Sequence, residues 1–215
     1  MGPAEFNMGH TKLSGQKTKI LHLPLTKKDV LSLHAGDFVL INGQLVTGRD
    51  KLHRYLSGKK PQDLRIPCSL RGTVLYHCGP IVERTPHGYR CVAGGPTTSM
   101  RVDRFASRII ADYGIRALMG KGGMGKETLN ALRNYGCAYF HAMGGAAVYL
   151  ADRIQRVSGV WMLKEFGMTE AMWIFEVNSF PAIVTMDTYG TSLHEGIEMK
   201  SREVFTKLLK DGALR

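Results

Sequence analysis

Three glycine-rich turns each join a short apolar run to a stretch with helical spacing, and this grammar confines the chain to a mixed α/β fold. Gly94-Gly95-Pro96-Thr97-Thr98-Ser99-Met100-Arg101 leads directly into Val102, Phe105 and Ile109, spaced i, i+3 and i+7. Gly120-Lys121-Gly122-Gly123-Met124-Gly125 follows the apolar run 115–119 and precedes a helical pattern from Lys126. Met143-Gly144-Gly145-Ala146-Ala147 repeats the arrangement after the run 138–141. Alternating strands and helices favour parallel pairing. The turn leaving the carboxyl end of a strand for a helix is where open α/β sheets bind ligands.

Strand candidates rich in β-branched residues are 19–23, 38–41, 73–77, 90–93, 115–119, 138–141, 159–163, 173–177 and 183–186. Helix candidates are 50–57, 99–113, 126–135, 146–153 and 198–210. No internal repeat and no clear linker divides the chain, so one domain over 11–215 is expected. Residues 1–10 are set aside: 1–7 resemble an expression scar ahead of a second candidate start at Met8.

Composition narrows the function classes. The chain has 215 residues, 44% hydrophobic and 22% charged, which is enough for a sizeable core. No apolar run reaches the roughly 18 residues a membrane helix needs. The net charge is +11, but the cations are scattered, with Lys27-Lys28 and Lys59-Lys60 only pairs. That pattern favours small anionic substrates or an acidic partner over nucleic acid. Cys68, Cys78, Cys91 and Cys137 form no CxxC pair, so a local zinc or iron–sulfur motif is not supported. Reduced, mostly buried thiols in the cytosol or an organelle matrix are expected.

Three segments can carry chemistry. In 94–101, glycines allow close backbone approach. Thr98 or Ser99 could cap the following helix, and Arg101 offers a planar fork for a carboxylate or phosphate. The segment reads either as an oxyanion cradle or as an ordinary strand-to-helix turn. In Thr47-Gly48-Arg49-Asp50-Lys51-Leu52-His53, Asp50 could cap a short helix, Arg49 stands just before it, and His53 shares a face with Asp50. That reads as a carboxylate-binding arginine in a local charge network, or as a surface helix start. Gly120–Gly125 is neither a Walker A loop nor a dinucleotide fingerprint, because the lysine stands second and no GxGxxG follows. Lys121 is a point charge suited to a small anion. His77 and His141 end strands and are assigned no catalytic role.

Taken together, GGPTTSMRVD, TGRDKLHR, GKGGMG, GGAA and EFGMTEAMWIFEVNSFPAIVTMDTYGTSLH resemble the β subunit, or C-terminal domain, of class I iron–sulfur hydro-lyases, which include class I fumarate hydratase and L-tartrate dehydratase. The similarity runs from about Thr18 to His194, and the block from Phe180 to Asp187 looks more like the fumarase branch. The resemblance implies a swivelling three-layer β/β/α domain, like the mobile last domain of aconitase. It implies that a partner α subunit holds a [4Fe–4S] cluster by three cysteines, with one iron open to substrate. It matches Thr97 to the catalytic base and Arg49, Arg101 and Lys121 to substrate carboxylate contacts, with Thr98 beside them. The chain departs from single-chain members, having GPTTSMR and KGGM where those have GPTTAGR and KGNR.

The implied activity is reversible hydration of fumarate to (S)-malate, by a chain active only with its α subunit. The alternatives are an L-tartrate or methylfumarate (mesaconate) hydro-lyase subunit, or a non-catalytic dicarboxylate-binding module. In isolation the chain is expected to expose a partner surface and to self-associate, as a homodimer for example.

Overall fold

The computed structural model describes residues 18–210, so the segment 1–10 set aside above lies outside the described residues. In chain order the strands are Lys19–His22 (β1), Phe38–Thr47 (β2), Val74–Tyr76 (β3), Ile81–Thr85 (β4), Gly88–Ala93 (β5), Ala117–Gly120 (β6), Ala138–His141 (β7), Ile154–Trp161 (β8) and Met172–Met186 (β9). The helices are Lys27–Leu31 (α1), Asp50–Ser57 (α2), Asp103–Tyr113 (α3), Lys126–Tyr135 (α4), Ala147–Ala151 (α5), Leu163–Phe166 (α6) and Leu193–Lys210 (α7). Short 3-10 turns cover Pro61–Asp63 and Ser99–Val102.

Seven strands pair in the order β1-β2-β3-β6-β7-β9-β8, and β2 also pairs with β9. That extra pairing closes β2, β3, β6, β7 and β9 into a ring, with β1 and β8 attached at its flanks. β1, β2, β3, β6 and β7 run parallel, as the strand–helix alternation predicts, and β9 runs antiparallel to its neighbours. β4 and β5 form a separate hairpin.

The apolar runs are continuous because the barrel strands are buried on both faces. Val74, Tyr76, Ala117, Met119, Ala138, Phe140, Trp173 and Phe175 point into the barrel. The residues between them, Leu75, Leu118, Tyr139 and Ile174, face a second core with Leu52 and Leu56 of α2, Ile109 and Ile110 of α3, and Leu132 of α4. The period of two thus serves two cores at once. Two walls of the flattened barrel and one helical layer give the three-layer β/β/α architecture.

Several expectations are corrected. The candidates 173–177 and 183–186 are parts of one strand of 15 residues, β9. Between them Asn178 and Ser179 stand opposite Asn42 alone, a bulge that absorbs the extra residue. Ser179 takes a φ of 51° there, and its N–H donates to Asn42 Oδ1 at 2.8 Å. Pro181, at register with Leu40, sits beside this irregularity, where a missing N–H is tolerated. β2 runs on to Thr47, beyond the expected 38–41, because its second half pairs with both β3 and β9. The strand expected at 159–163 starts earlier, at Ile154, and yields to a helical turn at Leu163. The helix expected at 99–113 begins as a 3-10 turn and ends at Gly114, with a left-handed φ of 64°.

Candidate active site

The four parallel barrel strands end on one rim. Thr47 closes β2 and leads to Arg49; Tyr76 closes β3 and leads to His77; Gly120 closes β6 and leads to Lys121; His141 closes β7 and leads to the glycine turn at 144–145. All three glycine-rich turns converge here. Gly94 N–H donates to the Ala147 carbonyl at 2.9 Å, and Tyr76 Oη–H donates to the Gly94 carbonyl at 2.7 Å. Lys121 N–H donates to the Thr97 carbonyl at 3.1 Å, and Ser99 N–H to the Lys121 carbonyl at 3.1 Å. The 97–99 segment therefore forms a bridge of extended backbone alongside Lys121. Every candidate, Arg49, Thr97, Thr98, Arg101 and Lys121, stands on this rim.

The arginines are held by carboxylates of the chain. Arg101 grips Asp50 side-on, Nε to Oδ1 at 3.2 Å and Nη2 to Oδ2 at 2.8 Å. Its side chain is 54% exposed, so the pair is worth only about 0–1 kcal/mol, and Nη1 remains open to another anion. Arg49 Nε lies 3.6 Å from Glu170 Oε1 and makes no hydrogen bond. Glu170 Oε2 accepts the Lys51 N–H at 2.9 Å, so the same carboxylate fixes the first turn of α2. Arg49 can lie across the end of β3 because residue 79 is glycine. A Cβ there would meet Arg49 Cδ at 2.6 Å and the Thr169 carbonyl oxygen at 2.8 Å.

Thr97 is tied to His77 twice. Its N–H donates to the His77 carbonyl at 2.7 Å and its Oγ1–H to the same oxygen at 3.1 Å. The hydroxyl is therefore a neutral donor here, with its lone pairs left to accept. An alkoxide at Oγ1 would be repelled by that carbonyl, so forming one requires the side chain to turn away. Lys121 is exposed and makes no ion pair with the described residues.

Three local expectations fail. Thr98 stands at the N-cap of the 3-10 turn but makes no side-chain cap bond. Ser99 is buried, with Oγ at 2.8 Å from both His77 Nδ1 and Tyr139 Oη. Asp50 is the first residue of α2 rather than its cap, and it pairs with Arg101 rather than His53. His53 points inward, fully buried, with Nδ1 2.8 Å from the Arg49 carbonyl. Burial lowers its pKa to about 4, so the ring is neutral. His77 is pushed well below its ordinary value, first by burial and then by His53. Sequence reasoning gave His77 no role and took Ser99 for a helix cap, and it passed over Tyr139 and Glu170, whose neighbours are remote in the chain. The TGRDKLH block itself contains His53, four residues after Arg49, and that spacing was the one available signal.

A family model described as the fumarase C-terminus matches residues 4–197. The chain belongs to that family. A Geobacillus stearothermophilus protein named "Putative fumarate hydratase class I" is 47% identical over 191 residues, 88% of this chain but only 36% of its own length. A Methanocaldococcus jannaschii protein named "Putative L(+)-tartrate dehydratase subunit beta" is 41% identical over 186 residues, 86% of this chain and 95% of its own length. The Escherichia coli L(+)-tartrate dehydratase subunit beta is 36% identical over 178 residues, 81% of this chain and 86% of its own length. The chain thus spans about a third of the fumarate hydratase relative and most of each tartrate dehydratase subunit.

For a fumarase C-terminus chain, the fit of an iron–sulfur cluster to its own thiols can be tested. Cluster ligands are thiolates. Burial instead raises Cys68, holds Cys78 well above its ordinary range, and pushes Cys91 and Cys137 to about 11. Among the described residues no three His, Cys, Asp or Glu side chains gather as a metal-binding group. These residues do not fit a cluster. No helix among the described residues is long and apolar enough to cross a membrane.

Proposed function

We propose that this chain is the β subunit of a two-subunit iron–sulfur hydro-lyase interconverting fumarate and (S)-malate, with the cluster carried by a partner α subunit. The observation that carries the proposal is the rim itself: one hydroxyl, Thr97, stands with Lys121 alongside it and with two arginines on the same edge. A dicarboxylate needs two cationic anchors, and Arg49, at the N-cap of α2, and Arg101, paired with the first residue of α2, are both found at one helix start. Arg101 is exposed and engaged side-on by the half-buried Asp50 carboxylate, so substrate can take its free edge or displace Asp50. Thr98, at the start of the 3-10 turn, adds a hydroxyl beside it.

In the dehydration direction Thr97, its side chain turned from the His77 carbonyl and its hydroxyl proton given to solvent, takes the proton from the substrate carbon. The hydroxyl on the adjacent carbon leaves as hydroxide, for which an open iron on the α subunit would supply a Lewis acid. A hydroxyl is a weak base and works only as its alkoxide, which needs a positive field. Lys121 supplies that field, being the rim cation without an ion pair, and Arg101 adds to it when released from Asp50. Arginines on the carboxylates orient the substrate and stabilise charge that builds as the C–H bond breaks. Met100, Met143 and Met168 are exposed on or beside the rim turns, an apolar border suited to a covering subunit. The free thiols suit the reducing cytoplasm.

A second reading, an L-tartrate dehydratase subunit, rests on the relatives named for that activity, which are 41% and 36% identical to this chain. Co-expression with an α-type chain, followed by anaerobic assays on fumarate, L-tartrate and mesaconate, tests both. Fastest turnover of fumarate supports the first reading, and fastest turnover of tartrate the second. No turnover of any dicarboxylate by an assembled, cluster-loaded complex leaves a binding module.

A further inference from the structure

Four polar side chains beneath the rim are used neither as carboxylate contacts nor in proton abstraction: His53, His77, Ser99 and Tyr139, all buried. Their hydrogens can be assigned from the partners. His53 Nδ1 lies 2.8 Å from the Arg49 carbonyl, which can only accept. Nδ1 therefore carries the hydrogen, and Nε2 of the neutral ring carries a lone pair. At the other end, Tyr139 Oη lies 2.8 Å from Ser99 Oγ, which lies 2.8 Å from His77 Nδ1. If His77 donated to Ser99 and Ser99 to Tyr139, the phenol hydrogen would find no acceptor among the described residues. If Tyr139 donates to Ser99 and Ser99 to His77 Nδ1, both hydroxyl hydrogens are used. His77 then bears its own hydrogen on Nε2.

This leaves one donor, His77 Nε2–H, and one acceptor, the His53 Nε2 lone pair. Both atoms are buried and without a partner, on rings 4.8 Å apart and inclined at 76°. Buried polar groups in native proteins are paired. We propose that Tyr139, Ser99, His77 and His53 form one unidirectional hydrogen-bonded chain ending on the Arg49 carbonyl, with the two Nε2 atoms sharing the His77 hydrogen directly or through a buried water, and that His53 and His77 are positioning residues for Arg49 and Thr97. The positioning role rests on the reading of Arg49 and Thr97 given above; the hydrogen-bonded chain does not. His53 fixes the peptide from which the Arg49 side chain springs. His77 presents its carbonyl to both the N–H and the hydroxyl of Thr97. β6 backs the chain through Gly120, where a Cβ would collide with Ser99 Oγ and lie 3.1 Å from His77 Nδ1. Two substrate-facing residues on different turns of the rim are thereby set by one internal thread.

The test is two-bond proton–nitrogen correlation of the imidazoles in the histidine-labelled chain at neutral pH, without partner or substrate. His53 is expected as the Nδ1–H tautomer and His77 as the Nε2–H tautomer, with the His77 preference lost in Ser99→Ala. A His77 Nδ1–H tautomer, or a His53 Nε2–H tautomer, overturns the chain, and the unmodified protein alone decides this if Ser99→Ala does not fold. Kinetics of the assembled complex test the positioning. His53→Leu should raise KM by ~10-fold with little change in kcat, the loss of one buried hydrogen bond. His53→Asn keeps a donor near the Nδ1 position and should restore KM to within ~2-fold of the unmodified value. Equal losses in both variants overturn the positioning role. If the tautomers are as expected and the loaded complex turns over no dicarboxylate, the functional reading fails while the hydrogen-bonded chain stands.

Discussion

The arginine end and the lysine end of the rim carry the same sign of charge on different mountings. Arg49 and Arg101 are flanked by Glu170 and Asp50, and the Arg49 peptide is fixed from below by His53. Among the described residues Lys121 makes no ion pair, and its backbone is tied to Thr97 and Ser99. The first mounting holds a guanidinium fork in one orientation, which suits recognition of a planar carboxylate. The second leaves a flexible point charge free to follow charge as it develops. Thr97 lies where the two meet, its backbone shared with Lys121 and its hydroxyl on His77.

The largest effect should come from the residue at the junction. Thr97→Ala is expected to lower kcat of the assembled enzyme by ~100-fold or more with little change in KM. A Thr97→Ala complex that assembles normally and turns over near the unmodified rate would show the junction to be a binding turn only.

Separating the two ends comes next. Arg101→Met removes a charge-assisted pair with the substrate carboxylate, worth about 1.5–3 kcal/mol, and should raise KM by ~10- to 100-fold while also lowering kcat. Lys121→Met should do both to a lesser degree. If instead Lys121→Met raises KM more than Arg101→Met, the lysine is the principal anchor and the comparison is reversed.

The shared floor beneath both ends can be broken by one methyl group. Gly120→Ala forces a Cβ into Ser99 and His77 and should cost about 1–3 kcal/mol of stability, read by chemical denaturation of the isolated chain. Gly122→Ala is no neutral control, since Gly122 has a φ of +72°, whereas a Cβ at the exposed Gly196 meets nothing within 4 Å. Gly196→Ala should leave stability unchanged or slightly raised. Equal stability of both variants would mean the floor is loosely packed.

The arginine end also has a pH signature. His53 has its folded pKa lowered from 6.5 to about 4, so below pH 6.5 the unfolded chain binds a proton that the folded chain refuses. Its contribution to stability is whole above pH 6.5 and is lost as pH falls toward 4, at about 1.4 kcal/mol per pH unit. His77 adds in the same direction. Denaturation at pH 7 and pH 5 should show this loss, and His53→Asn should remove one proton from the slope. An unchanged slope in His53→Asn would place the proton uptake elsewhere.

The smallest effect belongs to the exposed pair. Asp50→Asn should change stability by only about 0–1 kcal/mol, because Arg101 and Asp50 are half-open to water. A larger loss would mean that Asp50 organises the start of α2 rather than only steadying Arg101.

Much of the site was legible before any coordinates. Glycine-rich turns after apolar runs singled out Arg101 and Lys121 as cations near strand ends, whereas the roles given to Arg49, Thr97, Thr98, Arg101 and Lys121 came from the resemblance to class I hydro-lyases. The structure places all five on one rim. Some parallel pairing was expected from the alternation of strands and helices, and β2, β3, β6 and β7 are parallel; their order came only from the structure. The internal support was not legible. Ser99 looks like a helix cap, but its hydroxyl is turned inward to Tyr139, 40 residues away. Glu170 is 119 residues from the Lys51 amide it binds. β9 looks like two strands because a bulge and Pro181 interrupt its pattern.

By itself the sequence located most of the strands, the glycine-rich turns between them and the cations available, because local periodicity and backbone freedom are short-range properties; it missed the strand Ile81–Thr85. Only the tertiary structure decided that β9 returns to β2 and closes the barrel, since that pairing joins residues about 130 positions apart. The closure brings His53, His77, Ser99 and Tyr139 together in the buried space beneath the rim. There, each buried donor and acceptor must find a partner across strands, and which partner it finds depends on register and packing that no local pattern encodes.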